Sequence, residues 1–209
     1  YQIKFLINYI LNKKEKFILD HLNLVINDDD KTIIKLKNIR FSNFGYNKNV
    51  ISGNVYGKKF KTKIKKDLKS LNFRLLKSGI NATVDFEESK KNDLVIGTFK
   101  SKILNSKLKF NFEHDYKRFN IFNSFFRSKN LSFNNKSLVI LKPYFYTDSK
   151  FDILSFNYKI IENSNFKKLF EEKNFLKKIN SKNEINFISK KFNNDLIDNL
   201  NLKVDIAYG

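Results

Sequence analysis

The chain has 209 residues, and its 41 Lys and Arg against 21 Asp and Glu give a formal net charge of +20. Because it contains no Cys, a disulfide framework and thiolate chemistry are excluded. No apolar run approaches the roughly 20 residues that a membrane-spanning helix requires. The length is sufficient for one large domain or two small ones.

The positive charge, taken alone, favours an anionic partner such as nucleic acid or a membrane surface. The composition favours another explanation, because the basic residues are 37 Lys and only 4 Arg, beside 30 Asn and 2 Ala. Lys, Asn, Ile and Phe have A/T-rich codons, so a genome with A/T bias accounts for most of the charge. Proteins that read nucleic acid specifically prefer the bidentate fork of Arg. We therefore expect no specific nucleic-acid binding.

Residues 1–16 have apolar residues at helical spacing, which predicts a short amphipathic helix or a linker. From residue 17 onward apolar and polar residues alternate, as is typical of strands with one apolar face. Short polar turns separate the alternating stretches. The predicted strands are 17–26, 32–39, 50–56, 60–64, 71–76, 80–86, 94–103, 107–112, 119–127, 138–141, 151–161, 185–188 and 196–206.

One segment, residues 163–180, departs from this alternation. Its apolar residues recur at spacings of three, four and seven, with Lys and Glu at most other positions. This pattern predicts one amphipathic helix with a single apolar stripe. The residues of the stripe are Phe166, Leu169, Phe170, Leu176 and Ile179.

About a dozen strands with one internal helix favour a mainly β protein built as a long antiparallel meander. Because a long sheet twists, we expect it to curl into an open groove around its apolar face. Residues 17–209 are thus predicted to form a single β-rich groove segment, interrupted by the helix at 163–180. The chain has no Met and begins with Tyr1, so we expect it to be a piece of a larger protein.

Residues that perform chemistry are few. His21 and His114 are far apart in polar surroundings, and no cluster has the spacing of metal ligands. Residues 28–30 are three Asp, but they lack the alternating acids and the Gly of a calcium loop and fit a hairpin turn better. No phosphate-binding Gly loop, nucleophile elbow or dinucleotide fingerprint is present. We predict no enzyme activity, no catalytic residue, no metal site and no cofactor.

Three stretches share a rhythm of short strands and turns. They are LNFRLLKSGINATVDF at 71–86, LVIGTFKSKILNSKLKFNFE at 94–113 and FNIFNSFFRSKNLSFNNKSLVILKPYF at 119–145. Their succession resembles the AsmA/TamB-like superfamily of Gram-negative bacteria, over about residues 17–161. The resemblance implies a bridge-like phospholipid carrier in the periplasm, anchored to the inner membrane by a segment outside this chain. It also implies a role in outer-membrane biogenesis and no catalytic residues.

Elementary energetics favour such a role independently of the resemblance. Each CH2 group transferred from water to an apolar surface is worth about 0.8 kcal/mol, so an apolar sheet face holds acyl chains readily. Our hypothesis is therefore that the chain binds or conducts phospholipids between the inner and outer membranes by contacting their acyl chains. The candidate lining residues are Leu22, Leu24, Ile80, Val84, Phe86, Leu108, Phe110, Phe112, Leu138 and Ile140.

Other functions stay open at the level of sequence. The chain suits a structural β-sandwich or scaffold domain, in which the apolar face is simply the core. It also suits a basic module that binds anionic polymers such as nucleic acid. The alternating faces fit a transmembrane barrel as well, although charged residues often interrupt the strands.

Overall fold

The computed structural model describes residues 14–28, 31–65, 69–89, 94–115, 117–141, 145–157, 180–187 and 200–207. The helix predicted for residues 1–16 lies outside these ranges, apart from residues 14–16, which are not helical. The helix predicted for residues 163–180 also lies outside them, except that Asn180 begins a strand. Both helices therefore stay predictions.

The predicted mainly β fold is confirmed, since all regular structure in the described ranges is β-strand. The strands are β1 (Ile18–Asp28), β2 (Lys31–Ser42), β3 (Val50–Val55), β4 (Lys58–Ile64), β5 (Ser70–Leu75), β6 (Ile80–Glu87), β7 (Val95–Ile103), β8 (Ser106–His114), β9 (Arg118–Arg127), β10 (Leu131–Ile140), β11 (Tyr146–Phe156), β12 (Asn180–Phe187) and β13 (Leu200–Ile206).

The strands are hydrogen-bonded in the order of the chain, as a meander in an open sheet. The pairs whose register is defined are antiparallel, with one exception, because β11 and β12 run parallel. A hairpin turn cannot join parallel neighbours, which need a long crossover connection. The chain between Phe156 and Asn180 makes that connection. The expected curl of the sheet into a groove stays a prediction.

The chain divides into two compact units. Unit 1 comprises residues 1–86 and 101–104, and unit 2 comprises residues 87–100 and 105–209. Unit 1 therefore holds almost all of β1 to β6, and unit 2 holds β8 to β13 with most of β7.

In unit 1, the alternation of the sequence produces one apolar face and one polar face. β4 is an example, because Phe60 and Ile64 are buried while the three lysines at alternate positions are exposed. Ile64 and Phe41 form a small buried centre. The apolar side chains packed against this centre are those of Phe17, Leu19, Ile51 and Leu71.

Bulges interrupt the pairing of β1, β2 and β3. The register shifts between Leu19 and Leu22 and between Lys37 and Arg40. Within these shifts, His21 and Asn38 have φ angles of 58° and 52°, which are uncommon for residues other than Gly. Bulges bend a strand and redirect its side chains. The polar side chains of this part of unit 1 therefore depart from strict alternation.

Gly53 of β3 allows a close approach between a ring and the backbone. It pairs with Phe60 of β4, and a Cβ atom added to it would lie 3.0 Å from Cε1 of that ring. The same Cβ would lie 3.1 Å from the backbone oxygen of Lys37. Only Gly leaves room for the Phe60 ring to lie against the strand.

In unit 2, three strands start several residues earlier than the sequence predicts. The strand predicted at 138–141 is β10, which starts at Leu131, and the strand predicted at 151–161 is β11, which starts at Tyr146. The strand predicted at 185–188 is β12, which starts at Asn180. The missed portions are rich in polar residues, above all Ser, Asn and Lys. They extend as strands because their polar side chains find cross-strand partners, such as Ser137 with Ser149.

Candidate lipid-binding and anion-binding faces

The five candidate lining residues of unit 1 lie on strands at both of its ends. Residues directly paired across antiparallel strands lie on the same face of a sheet, which allows a face to be followed from strand to strand. Leu22 and Leu24 share the apolar face with Ile80 and Val84, and Phe86 follows Val84 with the same parity. The rows of paired residues are Ile80–Leu75–Phe60–Gly53, Val84–Leu71–Ile64 and Leu24–Leu36–Val55–Lys58.

Burial on this apolar face is uneven. Phe60 and Ile64 are each only 5% exposed, whereas Leu22 is 46% and Leu24 is 44% exposed. None of the described side chains is below 2% exposure. The apolar face of unit 1 therefore keeps large apolar side chains accessible at β1.

In unit 2, three of the five candidate residues lie together on β8. Leu108, Phe110 and Phe112 alternate along the strand, and Phe112 is 6% exposed. Aromatic rings stack beside them, with centroid distances of 4.8 Å for Phe99–Phe110 and 5.3 Å for Phe112–Phe119. The rows of this face are Leu108–Phe126–Phe133–Ile153–Phe187–Leu200 and Phe112–Ile121–Ser137–Ser149–Asn183–Val204.

The other two candidates, Leu138 and Ile140, lie on the opposite face of unit 2. Leu138 pairs with Asn120 and Asp148, and Ile140 pairs with Arg118 and Tyr146. A one-residue step along a strand changes the face, so Val139 between them belongs to the apolar face instead. Leu138 and Ile140 therefore do not share a surface with the three residues of β8.

A polar band that the sequence analysis did not recognise crosses the apolar face of unit 2. We call it the Ser/Asn band. Ser137 Oγ donates to Ser149 Oγ at 2.8 Å, and Asn183 Nδ2 donates to Ser181 Oγ at 2.9 Å. Ser124 Oγ donates to the backbone oxygen of Asn135 at 2.8 Å. Its members are Ser124, Asn135, Ser137, Ser149, Ser181 and Asn183.

The sequence does carry one signal for this band. Small uncharged polar residues stand at the apolar parity of adjacent strands, as Ser137 and Ser149 do. Ser149 is only 7% exposed, and a buried hydroxyl needs a hydrogen-bond partner. Mutual hydrogen bonding satisfies the band without charge.

The polar face of unit 1 is strongly basic, and we call its cationic residues the basic face. Lys61 pairs directly with Arg74, although like charges opposite one another are destabilising. Arg74 Nε also donates to Asn81 Oδ1 at 2.9 Å. The cationic residues of this face are Lys37, Arg40, Lys59, Lys61, Lys63 and Arg74.

The polar face of unit 2 differs because its cations on β11 to β13 pair with carboxylates, although Lys107 pairs with Arg127 and Lys136 with Lys150 elsewhere on this face. Lys150 Nζ lies 3.3 Å from Glu184 Oε1, and Asn201 Nδ2 donates to the same oxygen at 3.1 Å. These two hydrogen bonds, first that from Asn201, lower the pKa of Glu184 below its usual value. Glu184 also pairs across the sheet with Lys203 of β13.

A second carboxylate of unit 2 organises the turn after β8. The backbone N–H groups of Lys117 and Arg118 donate to Asp115 Oδ1 at 2.8 and 2.6 Å. These hydrogen bonds lower the pKa of Asp115. Because the interactions all lie within one turn, their role is to fix the β8–β9 connection.

A shallow depression lies on the polar face of each unit, within the part of the chain that the structure describes. In unit 1 it measures about 380 Å³, and its lining includes Arg40, Lys59 and Lys61. In unit 2 it measures about 520 Å³, and its lining includes Leu138 beside Lys136 and Asp148. The depression in unit 1 is therefore cationic, whereas the one in unit 2 is of mixed charge.

The two histidines lie in different surroundings. His21 Nδ1 is 3.3 Å from Asp20 Oδ1, and its Nε2 is 3.2 Å from a guanidinium nitrogen of Arg40. His114 Nδ1 lies 3.1 Å from the backbone oxygen of Arg118. In the part of the chain that the structure describes, no three His, Cys, Asp or Glu residues are grouped as metal ligands would be.

The fold and these faces define an open, mainly antiparallel β-meander in which each unit has one apolar and one polar face. Among the residues of described structure, no helix has the length and apolar composition needed to cross a membrane. No protein-family model, no curated protein and no solved structure matches the chain. Membership of the AsmA/TamB-like superfamily therefore stays a prediction.

Proposed function

We propose that this chain is a non-enzymatic β-sheet segment that binds phospholipid acyl chains on its apolar faces. In this proposal it conducts phospholipids between the inner and outer membranes from the periplasm, held by an anchor outside the chain. The observation that carries the proposal is the accessibility of large apolar side chains. Leu22 and Leu24 in unit 1, and Leu200 and Leu202 in unit 2, are each more than 40% exposed on the apolar face.

The chemistry of these faces supports acyl chains as the ligand. The rows of paired residues given above contain no Asp, Glu or Arg, and their one Lys is Lys58, at the end of the row that begins at Leu24. An acyl chain lying on the other rows meets no charge that would have to lose water. With about 0.8 kcal/mol gained per buried CH2, contact along a few residues is enough to hold a lipid tail.

Phe110 and Phe112 provide the sharpest test. We expect phospholipid to co-purify with the protein from mild detergent and to be detected by native mass spectrometry. The double variant Phe110→Asp/Phe112→Asp should lose most of this lipid, because it places two charges on the apolar face. The matched control is Leu138→Asp/Ile140→Asp, which adds the same charge to the same unit on the opposite face and should keep its lipid.

Because Phe112 is buried, the first variant could lose lipid simply by unfolding. A second variant at exposed positions separates these two causes. Leu200→Asp/Leu202→Asp changes exposed positions of β13 and should also lose lipid while circular dichroism shows that the strands persist. Equal lipid content in this variant, its parent and the control would contradict the proposal. A folded protein that carries no lipid would favour a structural scaffold instead.

A further inference from the structure

The basic face of unit 1 stands out because its charge is not balanced locally. No Asp or Glu occurs from Lys31 to Lys66 in the sequence. Two acidic residues lie at this face: Asp20, through an ion pair of 2.6 Å with Nε of Arg40, and Asp85 of β6, which pairs with Ser70. The direct pairing of Lys61 with Arg74 is repulsive in the free protein. An anion bound to this face would relieve that repulsion.

Codon bias does not explain this arrangement, since it acts on the whole chain alike. In unit 2, the lysines of β12 and β13 pair directly with acidic residues, as Lys182 does with Asp205 and Lys203 does with Glu184. In unit 1, Lys31 pairs with Asp28 and Arg40 with Asp20, but Lys59, Lys61 and Lys63 of β4 are paired with no acidic residue. The lysines of β4 are therefore placed differently from those of β12 and β13, and this placement calls for an explanation of its own.

The cationic depression gives this charge a defined shape. Arg40, Lys59 and Lys61 line it beside the short polar side chains of Asn38, Ser52 and Asn54. The bulges at His21 and Asn38 are at its rim, with both residues at positive φ. Ammonium and guanidinium groups offer only hydrogen-bond donors, and the charged oxygens of a phosphodiester are only acceptors at neutral pH. A phosphodiester, such as that of a phospholipid headgroup, is therefore a ligand chemistry that fits.

We propose that the basic face of unit 1 is a docking surface for the phosphate groups of an anionic phospholipid membrane. Lysines supply four of its six cations, and Lys acts as a mobile point charge well suited to a surface of many phosphates. Single-stranded nucleic acid instead requires aromatic side chains for base stacking. The rows of paired residues that form this face contain none, and the Phe60 ring that reaches the lining of the depression is only 5% exposed. The inference does not depend on acyl-chain binding, which concerns the opposite face.

The test uses the full chain and sedimentation with vesicles. One set of vesicles is phosphatidylcholine alone, and the other is an equal mixture of phosphatidylcholine and phosphatidylglycerol. We expect binding to the anionic vesicles, weakened by salt because exposed charges are screened. Each basic residue near an anionic surface changes binding about fivefold. The variant Lys59→Gln/Lys61→Gln/Lys63→Gln should therefore bind on the order of 100-fold more weakly.

The matched control removes the same charge from the polar face of unit 2. Lys107→Gln/Lys109→Gln/Lys136→Gln should weaken binding much less, and circular dichroism should show both variants folded. An equal loss in the two variants would show that only net charge matters and would overturn the proposal. Equal binding to neutral vesicles would also overturn it. So would tighter binding to an oligonucleotide than to anionic vesicles at the same phosphate concentration.

The experiments distinguish a failure of the acyl-chain proposal from a failure of the membrane-docking proposal. The variant Phe110→Asp/Phe112→Asp should keep its preference for anionic vesicles while it loses co-purifying lipid. The triple variant of β4 should show the reverse pattern. The two losses therefore identify which face has been disabled.

Discussion

The two units place similar residues on their faces in different ways. Unit 1 collects the cations of β4 and β5 on its polar face with no acidic residue paired to them, although Lys58 lies on its apolar face beside Val55. Unit 2 carries the Ser/Asn band within its apolar face and, on β11 to β13, pairs opposite charges on its polar face. The comparison shows that the net charge describes the whole chain, whereas the arrangement of charges differs between the sheet faces. Only the arrangement of charges on a face can make that face specific for a partner.

The largest expected effect concerns the aromatic packing of unit 2. Phe112 is buried and its ring lies near Phe110 and Phe119, so Phe112→Ala should lower the free energy of unfolding by about 3 kcal/mol. Phe73 of unit 1 is less buried and stacks on Phe60, so Phe73→Ala should cost about half as much. Urea unfolding measures both losses, and hydrogen exchange assigns each loss to a unit.

Phe125 provides the control for that prediction. It lies on the opposite face of β9, where it packs under the guanidinium of Arg127. Phe125→Ala should cost about 1 kcal/mol or less. If Phe73→Ala destabilised as much as Phe112→Ala, the aromatic packing of the two units would be equivalent.

The Ser/Asn band should show non-additive energetics. Ser149→Ala removes the acceptor of the Ser137 hydroxyl at 2.8 Å, while Ser137 keeps its hydrogen bonds with Asn135, and should cost about 1 kcal/mol. Ser137→Ala should cost at least as much, but the double variant should cost less than the sum, because the bond between the two hydroxyls can be lost only once. A double-mutant cycle by urea unfolding measures this coupling. Strictly additive losses would mean that the two hydroxyls do not depend on each other.

A smaller effect contrasts the charge pairs of the two polar faces. Lys61→Gln removes a repulsion with Arg74 and should stabilise the protein by roughly 0.2–0.5 kcal/mol at low salt. Lys203→Gln removes an attraction with Glu184 and should destabilise it by a similar amount. Thermal unfolding at low and high salt measures both, and salt should abolish both differences. If both substitutions changed stability in the same direction, the Lys61–Arg74 pair would not be repulsive relative to the Lys203–Glu184 pair.

The smallest expected effect is the pH dependence of unit 2. The pKa of Glu184 is lowered from 4.5 in the fold, so its contribution to stability is present above that pH and is lost as the pH falls through the folded pKa. Glu184→Gln should therefore flatten part of the acid limb of the stability profile. Asn201→Ala should raise the pKa of Glu184 toward its usual value in an NMR titration. If the pKa of Glu184 did not change in this variant, the hydrogen bond from Asn201 would not be the main cause of its lowering.

The sequence predicts the strands well where apolar alternation is clean. The strand predicted at 71–76 is shifted by one residue from β5, and the strand predicted at 80–86 is one residue shorter than β6. The first half of β10 was missed because Asn135 and Ser137 occupy its apolar parity. Their hydrogen bonds with neighbouring strands are long-range and leave no local pattern in the sequence.

The faces of the candidate site were predictable only in part. Leu108, Phe110 and Phe112 alternate with polar residues, and the structure places them on one face. Residues 138–141 are all apolar, so alternation could not decide which of them belongs to that face. The bulges at His21 and Asn38 also leave no periodic signal, although they determine the rim of the cationic depression.

The strands at the two ends of the strand order differ in regularity. β1 pairs with β2 through three register shifts, whereas β13 pairs with β12 without any. A bulged strand presents an irregular edge, while a straight one offers a template to which an incoming strand can add. β13 also presents Leu200, Leu202 and Val204 with substantial exposure. Self-assembly by strand addition should therefore begin at β13, where Lys203 and Asp205 are the charges that oppose it.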